Sequence, residues 1–279
     1  MQLAMDQLTR AERQLANSLL ENWPVSALGS ITAVAQNAEV STPTVTRLVH
    51  KLGFKGFPAF QRAMREELEA TISGPIEKHD RWATDAPDTH NLNRFADAVL
   101  QNMRQTLSHI DPAEFDLVCS KLADLDRAVY IAGGRITHTV AEYLFLHMQM
   151  IRPDVILLPA TENGWPHHLL NIRRGDVLVL LDIRRYQNDL LKLAEIVAEK
   201  GAEIVLFTDQ WGSPVTRHST HHFNSRVEVP SAWDSSASLL ILIETLIAQI
   251  QSLTWKSASG RMKELEAMFD RTRLFRKFK

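Results

Sequence analysis

Residues 40–57 have the sequence Val-Ser-Thr-Pro-Thr-Val-Thr-Arg-Leu-Val-His-Lys-Leu-Gly-Phe-Lys-Gly-Phe, and this stretch decides the fold of the first part of the chain. Ser41 or Thr42 is expected to cap backbone N–H groups at the start of a helix. Pro43 suits the first helical turn, because the N–H group that proline lacks has no helical partner there. Gly53 stands where such a helix ends.

The predicted helix has one apolar and one polar face. The residues at helical spacing that we expect in a core are Val45, Leu48, Val49 and Leu52. The residues left on the free polar face are Thr44, Thr46, Arg47 and Lys51. A polar face with basic residues fits the major groove of DNA, whose base edges it meets near the helix N-terminus. The predicted DNA contacts are Ser41, Thr42, Thr44, Thr46, Arg47, Lys51 and Lys55.

Two further helices are predicted upstream, over residues 9–23 and after Ser30, and residues 37–39 have the length of a helix-turn-helix turn. Between Val40 and Arg65 there are five lysine or arginine residues and no acid, so the local charge suits phosphates although the whole chain has a net charge of −2. The alternative is an amphipathic helical hairpin whose basic face is merely solvated.

A set of residues within this segment resembles the N-terminal domain of the RpiR-type bacterial transcriptional regulators. The residues that carry the resemblance are Ser41, Thr44, Arg47, Leu52, Gly53, Phe54, Gly56, Phe57 and Phe60. The resemblance implies a helix-turn-helix domain followed by a sugar isomerase (SIS) domain, which binds phosphorylated sugars in many relatives.

The length of 279 residues suits two domains, and 45% hydrophobic with 23% charged residues is a globular composition. The predicted organisation is a helix-turn-helix domain over residues 1–75, a linker over 76–91, an SIS-like domain over 92–255 and a basic tail over 256–279. The tail is expected to be a docked helix with a frayed end, or alternatively a supplementary contact to the DNA backbone.

Localisation is predicted from hydropathy and cysteine content. No stretch approaches the roughly 18 uninterrupted apolar residues of a membrane span, and the N-terminus lacks the basic region of a secretory signal. We therefore expect a cytoplasmic protein without a membrane partner. Cys119 is the only cysteine, which excludes an intrachain disulfide, and we expect it to be a small buried residue on a helix.

From residue 128 onward, short apolar runs alternate with amphipathic helices, which predicts an α/β sandwich with a parallel sheet. The predicted strands cover residues 128–132, 155–158, 177–181 and 203–208, with an edge strand at 226–229. The predicted helices cover residues 137–150, 188–200 and 234–253. In such sheets ligands bind beyond the carboxyl ends of the strands, so the loops there are the candidate sites.

The first candidate loop contains Gly133, Gly134, Arg135 and Thr137. A glycine-rich turn at a helix N-terminus offers N–H groups to an anion. The corresponding SIS loop usually has the sequence Gly-x-Gly-x-Ser; here Arg135 replaces the second glycine and adds a guanidinium. The alternative is a tight turn that binds no ligand.

The second candidate loop follows the strand at residues 177–181, where SIS domains usually have a serine or threonine cluster that binds phosphate. Asp182 and Arg184 stand in those places. Either the pocket binds an anion other than the usual sugar phosphate, or the two residues form an internal salt bridge and the pocket is empty. A third region combines residues 209–214 with Ser235 and Ser236, which are ligand candidates at the start of the last helix.

No catalytic, metal or cofactor site is predicted. Aldose–ketose isomerisation needs a positioned acid and base, and Glu244 has no second member of such a pair in the sequence. Two histidine groups, His167–His168 and His218 with His221–His222, are not expected to hold a metal. Adjacent histidines lack the i, i+4 spacing at which two rings meet one ion, and no carboxylate completes either set.

The sequence therefore predicts a ligand-responsive transcription factor that binds double-stranded operator DNA. Its expected effector is a small anionic metabolite, either a phosphorylated sugar or a carboxylate, and its expected assembly is a homodimer or homotetramer. Two alternatives stay open: a sugar-phosphate isomerase with an added helical domain, and a constitutive DNA-binding protein whose SIS domain only oligomerises.

Overall fold

The structure of the protein, a computed structural model, describes residues 8–21, 25–72 and 90–275. The chain divides into two compact units, Met1–Ser73 and Gly74–Lys279. The predicted linker lies outside the described residues up to residue 89, and at Asn91 the next helix has already begun.

The first unit is helical, as the pattern of residues 9–65 predicts. Its helices are α1 (Arg10–Glu21), α2 (Ile31–Asn37), α3 (Thr42–Lys51) and α4 (Phe57–Ile72). Ser30 caps α2, because its hydroxyl accepts the N–H of Ala33 at 3.1 Å. The helices enclose one apolar core, whose fully buried members include Leu15, Leu19, Val34, Val45, Leu48, Val49 and Phe60. The expected core face of α3 is confirmed except at Leu52, which is only partly buried.

The described part of the second unit, from residue 90 onward, begins with two helices, α5 (Asn91–Ser108) and α6 (Pro112–Ala123). Asp111 caps α6 by accepting the N–H of Ala113 at 3.0 Å, and Pro112 fills the first helical position. Cys119 lies on α6 and is fully buried, as predicted. Burial raises the pKa of its thiol to about 12, so the side chain acts as an apolar packing group.

Five parallel strands follow and form one sheet in the order β2-β1-β3-β4-β5. They are β1 (Val129–Gly133), β2 (Val155–Leu157), β3 (Val177–Asp182), β4 (Glu203–Asp209) and β5 (His221–Ser225). Gly133 pairs with Leu181 and Asp182 pairs with Thr208, so β1, β3 and β4 end side by side. The loops that leave these ends therefore share one crevice.

Helices cover both faces of the sheet, which confirms the predicted α/β sandwich. They are α7 (His138–Ile151), α8 (Trp165–Leu169), α9 (Asn188–Glu199) and α10 (Ala237–Thr272). Along β1, Val129 and Ile131 join the core beneath α6, α7 and α10. Tyr130 and Ala132, which point to the opposite face, join the core beneath α8 and α9.

The predicted edge strand at residues 226–229 is wrong. The edge strand is β5, which lies immediately before that range and pairs with β4. Val227 and Val229 are buried, which explains the apolar pattern. The N–H of Val227, however, donates to Oε1 of Gln210 and its carbonyl accepts the N–H of Ser235, so its backbone is held by a side chain and a loop.

No break marks residue 255, because α10 continues to Thr272. The expected tail is therefore helical as far as that residue. Beyond residue 255, Ala258 is fully buried and Arg261 donates to the carbonyl of Gln149 at 2.8 Å. By length and composition alone α10 could cross a membrane. It contributes instead to the core of the second unit through Leu239, Leu242, Ile243, Leu246 and Ile250.

Candidate functional site

Helix α3 is the candidate DNA-reading element, and a side-chain network marks its start. Ser41 precedes the helix, but neither of the expected caps, Ser41 or Thr42, has a side-chain capping bond in the structure. The hydroxyl of Ser41 instead lies 3.0 Å from that of Thr44, which also accepts Nη2 of Arg47 at 3.2 Å. The network holds the exposed Arg47 side chain against Thr44 in the first turn of the helix.

The placement of Thr44 on the free face is wrong, because only 4% of it is exposed. One residue of a helix turns by about 100°, so Thr44 falls beside Val45 and Leu48 on the covered side. The Thr44 hydroxyl accepts a hydrogen bond from Arg47, so Thr44 holds the side chain of Arg47 in place from beneath the surface. A direct contact between Thr44 and a base remains a prediction, and the burial of the Thr44 side chain argues against it.

Lys51 is exposed, as the prediction of a free polar face requires, but its charge is paired within the domain. Its Nζ lies 2.7 Å from Oε2 of Glu12, a buried acid on α1. The same carboxylate accepts the N–H of Thr9 at 2.9 Å and so caps α1. These contacts hold the pKa of Glu12 down, from 4.5 to about 2, with the Lys51 hydrogen bond as the largest cause. Lys51 thus joins α3 to α1.

The exposed residues of α3 are Pro43, Arg47, His50 and Lys51, and Thr46 is partly exposed beside them. The hydroxyl of Thr46 donates to the carbonyl of Thr42 at 3.2 Å. The sequence prediction missed His50, although its position three residues after Arg47 is a usable signal. Lys55 is exposed in the turn after α3.

That turn depends on one glycine. Gly53 has φ +88, a left-handed conformation that other residues rarely adopt. Its N–H donates to the carbonyl of His50 at 3.0 Å and closes the end of α3. The prediction that the helix ends at Gly53 is confirmed.

The ligand candidates lie at the aligned ends of β1, β3 and β4. In the first loop, Gly133 packs so closely on the start of α7 that a Cβ atom there would lie 2.7 Å from the backbone of Thr137. Thr137 is buried, and its hydroxyl donates to the carbonyl of Leu181 at 2.7 Å while accepting the N–H of Gly134 at 2.8 Å. Thr137 therefore ties the loop to β3, and the side chain of Arg135 is exposed.

In the second loop, the partners of Asp182 differ from the predicted one. The hydroxyl of Ser213 donates to Oδ2 of the buried Asp182, and the backbone N–H of Gln187 is a second donor. Burial is the largest cause that raises the pKa of Asp182, to about 6. The proposed internal salt bridge between Asp182 and Arg184 is wrong.

Arg184 is paired with acids from the other side of the crevice. Its Nε lies 2.8 Å from Oδ2 of Asp234, and Nη2 lies 3.4 Å from Oε1 of Glu228. The guanidinium stacks over Trp211, 4.1 Å from the ring centroid. The residue has φ +25, and its backbone N–H donates to Asp209 at 2.6 Å.

Asp209 holds the end of β4 to the second loop. The carboxylate is fully buried and accepts the Tyr186 hydroxyl at 2.7 Å and the Trp211 N–H at 3.0 Å, besides the N–H of Arg184. Burial is the largest cause that raises its pKa. Asp209 therefore fixes the loop that carries Arg184.

In the third region, Asp234 contacts the second loop. The carboxylate of Asp234 pairs with Arg184. The hydroxyl of Ser235 accepts the N–H of Ala237 at 3.3 Å. Ser236 is the residue at the helix start and makes no side-chain capping bond. No contact that the structure describes for either serine distinguishes it as a ligand-binding residue, so that role stays a prediction for both.

Two family models match the two units. The helix-turn-helix domain of the rpiR family matches residues 1–71, and the SIS domain matches residues 121–249. The chain belongs to the RpiR family. Among curated relatives, the HTH-type transcriptional regulator HexR of Pseudomonas aeruginosa is 24% identical over 223 residues, which cover 78% of this chain and 75% of HexR.

Solved structures agree with the fold of this RpiR-family chain. The Vibrio vulnificus NanR protein complexed with ManNAc-6P matches 98% of this chain and 97% of its own, with a TM-score of 0.58 and 18% identity. The sugar isomerase domain of an RpiR transcription factor from Sphaerobacter thermophilus matches 63% of this chain and 97% of its own, with a TM-score of 0.57 and 21% identity.

By its two family models and its curated relatives, this RpiR-family protein is a DNA-binding transcriptional regulator. Its first unit is the helix-turn-helix domain, with α3 in the position of the recognition helix. Its second unit is the SIS domain, whose crevice lies at the carboxyl ends of the parallel strands.

Proposed function

We propose that this regulator reads operator DNA with the exposed side of α3 and controls genes of sugar or small-metabolite catabolism. The observation that carries this proposal is the orientation of Arg47 by the buried Thr44. An arginine held in this way is prepared for the two hydrogen bonds that it makes to one guanine. Thr46 lies one residue before Arg47 and offers its methyl group to a thymine.

We further propose that the crevice of the SIS domain binds a small acidic metabolite, either a phosphorylated sugar or a carboxylate. The start of α7 favours negative charge, and Arg135 adds an exposed guanidinium beside it. Arg184 does not supply a free charge, because Asp234 and Glu228 already surround it. Arg135 is therefore the main cationic side chain of the proposed anion site.

The proposed assembly is a homodimer or homotetramer in the cytoplasm. Two recognition helices then bind half-sites about one helical turn, roughly 34–36 Å, or a multiple of it apart. The effector regulates binding by its difference in affinity between the DNA-binding arrangement and another arrangement.

A selection of genomic fragments by the purified full chain tests these proposals. Sequencing the retained fragments gives the operator and the neighbouring genes, and acidic metabolites are then added to the retained complex. We expect a palindromic operator beside catabolic genes and at least one metabolite that changes retention. Retention without sequence preference contradicts the operator proposal, and an operator whose retention no acidic metabolite changes favours a constitutive DNA-binding protein.

We also propose that the protein has no isomerase activity. Glu244 is exposed, and its Oε1 accepts a hydrogen bond from the hydroxyl of Tyr143 at 3.1 Å. Its partner is therefore a tyrosine hydroxyl and not a second carboxyl group or an imidazole. A coupled assay with sugar phosphates is expected to show no turnover above the background. Turnover that Glu244→Gln abolishes contradicts this and supports the enzyme alternative.

A further inference from the structure

Gln187 connects the two loops of the crevice. Gln187 immediately precedes α9. Its backbone N–H donates to the carboxylate of Asp182 at the end of β3. Its side chain crosses to the first loop, where Oε1 accepts the N–H of Arg135 at 2.6 Å. The amide oxygen is so close to Gly134 that a Cβ atom there would lie 2.5 Å from it. A side-chain oxygen thus occupies the turn that leads into α7.

Two other N–H groups of this turn are paired within the domain. The N–H of Gly134 is bonded to the hydroxyl of Thr137, and the N–H of His138 donates to the carbonyl of Gly134 at 2.7 Å. The N–H of Arg135 differs from these, because its partner is a long side chain from another loop. A side chain can rotate away without unfolding the turn, so an incoming ligand can take over this donor.

We propose that Gln187 gates the anion site: its amide oxygen holds the Arg135 N–H in the empty protein, and an oxygen of the effector replaces it. This rests on the proposed anion-sensing function. The exchange also determines which ligands bind. A neutral hydroxyl gains little by replacing an amide oxygen, whereas a phosphate or carboxylate oxygen forms a stronger, charge-assisted bond to the same N–H and benefits from the start of α7.

Titration of the full-length protein with inorganic phosphate tests the gate. The variants are Gln187→Ala and Gln187→Asn, which is one methylene shorter than glutamine. The matched control is Gln249→Ala, which removes a glutamine bonded to Asp116 on an exposed helix face. Thermal shifts are measured at constant ionic strength, and calorimetry gives the Kd. Glucose 6-phosphate and succinate are titrated in parallel to distinguish a phosphate ester from a carboxylate ligand.

We expect both Gln187 variants to bind phosphate about three- to tenfold more tightly than the wild type, since one internal hydrogen bond no longer has to be broken. The Gln249 variant should match the wild type. Circular dichroism and retention of genomic DNA verify that each variant is folded.

Two results overturn the gate, and they can be told apart. If the wild type and both Gln187 variants bind the anions equally well, Gln187 is not a gate, while the anion-sensing proposal stands. If the folded wild type and folded variants bind none of the three anions at millimolar concentration, the anion-sensing proposal fails together with the gate.

Discussion

Oε2 of Glu12 lies 2.7 Å from Nζ of Lys51, so one buried carboxylate joins the first helix to the end of the recognition helix. Because Glu12 also accepts the N–H of Thr9, the same group caps α1 and fixes the position of α3. A lysine that the sequence alone assigns to DNA is thereby part of the internal structure of the domain.

The first prediction concerns pH. The pKa of Glu12 falls from 4.5 to about 2 in the folded protein. A lowered carboxyl pKa stabilises the fold above the unfolded value and loses this effect as pH falls through the folded one. We expect the free energy of unfolding of the wild type to decrease between about pH 4.5 and 2 more steeply than that of Glu12→Gln, measured by urea denaturation.

Glu66→Gln is the control for this experiment, because Glu66 is exposed on α4. Its pH dependence should follow that of the wild type. Equal pH profiles for the wild type and Glu12→Gln would show that the ion pair does not stabilise the fold.

The second prediction concerns the reading of bases. Arg47→Ala should weaken operator binding by about 1–3 kcal/mol and relax the preference at one base pair, if the arginine contacts a guanine. Thr44→Val should cause a smaller loss, since it removes only the hydroxyl that orients Arg47. Fluorescence anisotropy with operator variants measures both effects.

Arg62→Ala provides the comparison for base reading, because Arg62 is an exposed arginine of the same unit. It should leave the sequence preference unchanged. Unaltered affinity and preference in the folded Arg47 variant would refute the assignment of α3.

The third prediction separates phosphate contact from base contact. Lys55 is exposed in the turn after α3. Lys55→Ala should weaken binding to all DNA sequences and reduce the slope of log K against log salt by about 1. Lys192→Ala, an exposed lysine on α9 of the other unit, should leave the slope unchanged. A Lys55 variant with the wild-type slope rules out the phosphate contact.

The fourth prediction concerns the proposed effector. An acidic metabolite that binds only the folded protein raises its melting temperature by mass action. Arg135→Ala should abolish this shift, because Arg135 supplies the exposed charge beside α7, and should leave DNA binding in the absence of ligand intact. An unchanged ligand response in this variant would show that the loop is not the sensor.

The fifth prediction concerns the stability of the SIS domain. Arg152 is almost fully buried, and its guanidinium donates to the backbone carbonyls of Leu122, Asp124 and Arg127. Arg152→Met leaves these acceptors without their donor, so we expect a loss of about 3 kcal/mol in the free energy of unfolding. Arg173→Met, at an exposed site, should change it by less than about 0.5 kcal/mol. Similar denaturation midpoints for both variants would contradict this role of Arg152.

The loop chemistry shows the limits of sequence patterns. The change from hydroxyls to Asp182 and Arg184 is visible in the sequence, but their partners are not, because Ser213, Asp234 and Trp211 lie many residues away. Gln187 carries no local signal, since nothing in its neighbourhood reveals that its side chain reaches Arg135. Burial of Thr44 was likewise missed, because its place on α3 borders the apolar stripe.

The sequence by itself determined the order of elements, the helix-turn-helix, the parallel sheet and the family. The elements follow from periodicity, capping residues and turn residues, which act over a few positions along the chain. The family follows from the resemblance carried by residues 41–60. The tertiary structure alone decided that Lys51 pairs with Glu12, that Arg184 pairs with Asp234, and that the last strand lies at His221–Ser225. Such choices depend on which distant groups folding brings within hydrogen-bonding distance, because buried polar groups need partners wherever the chain supplies them.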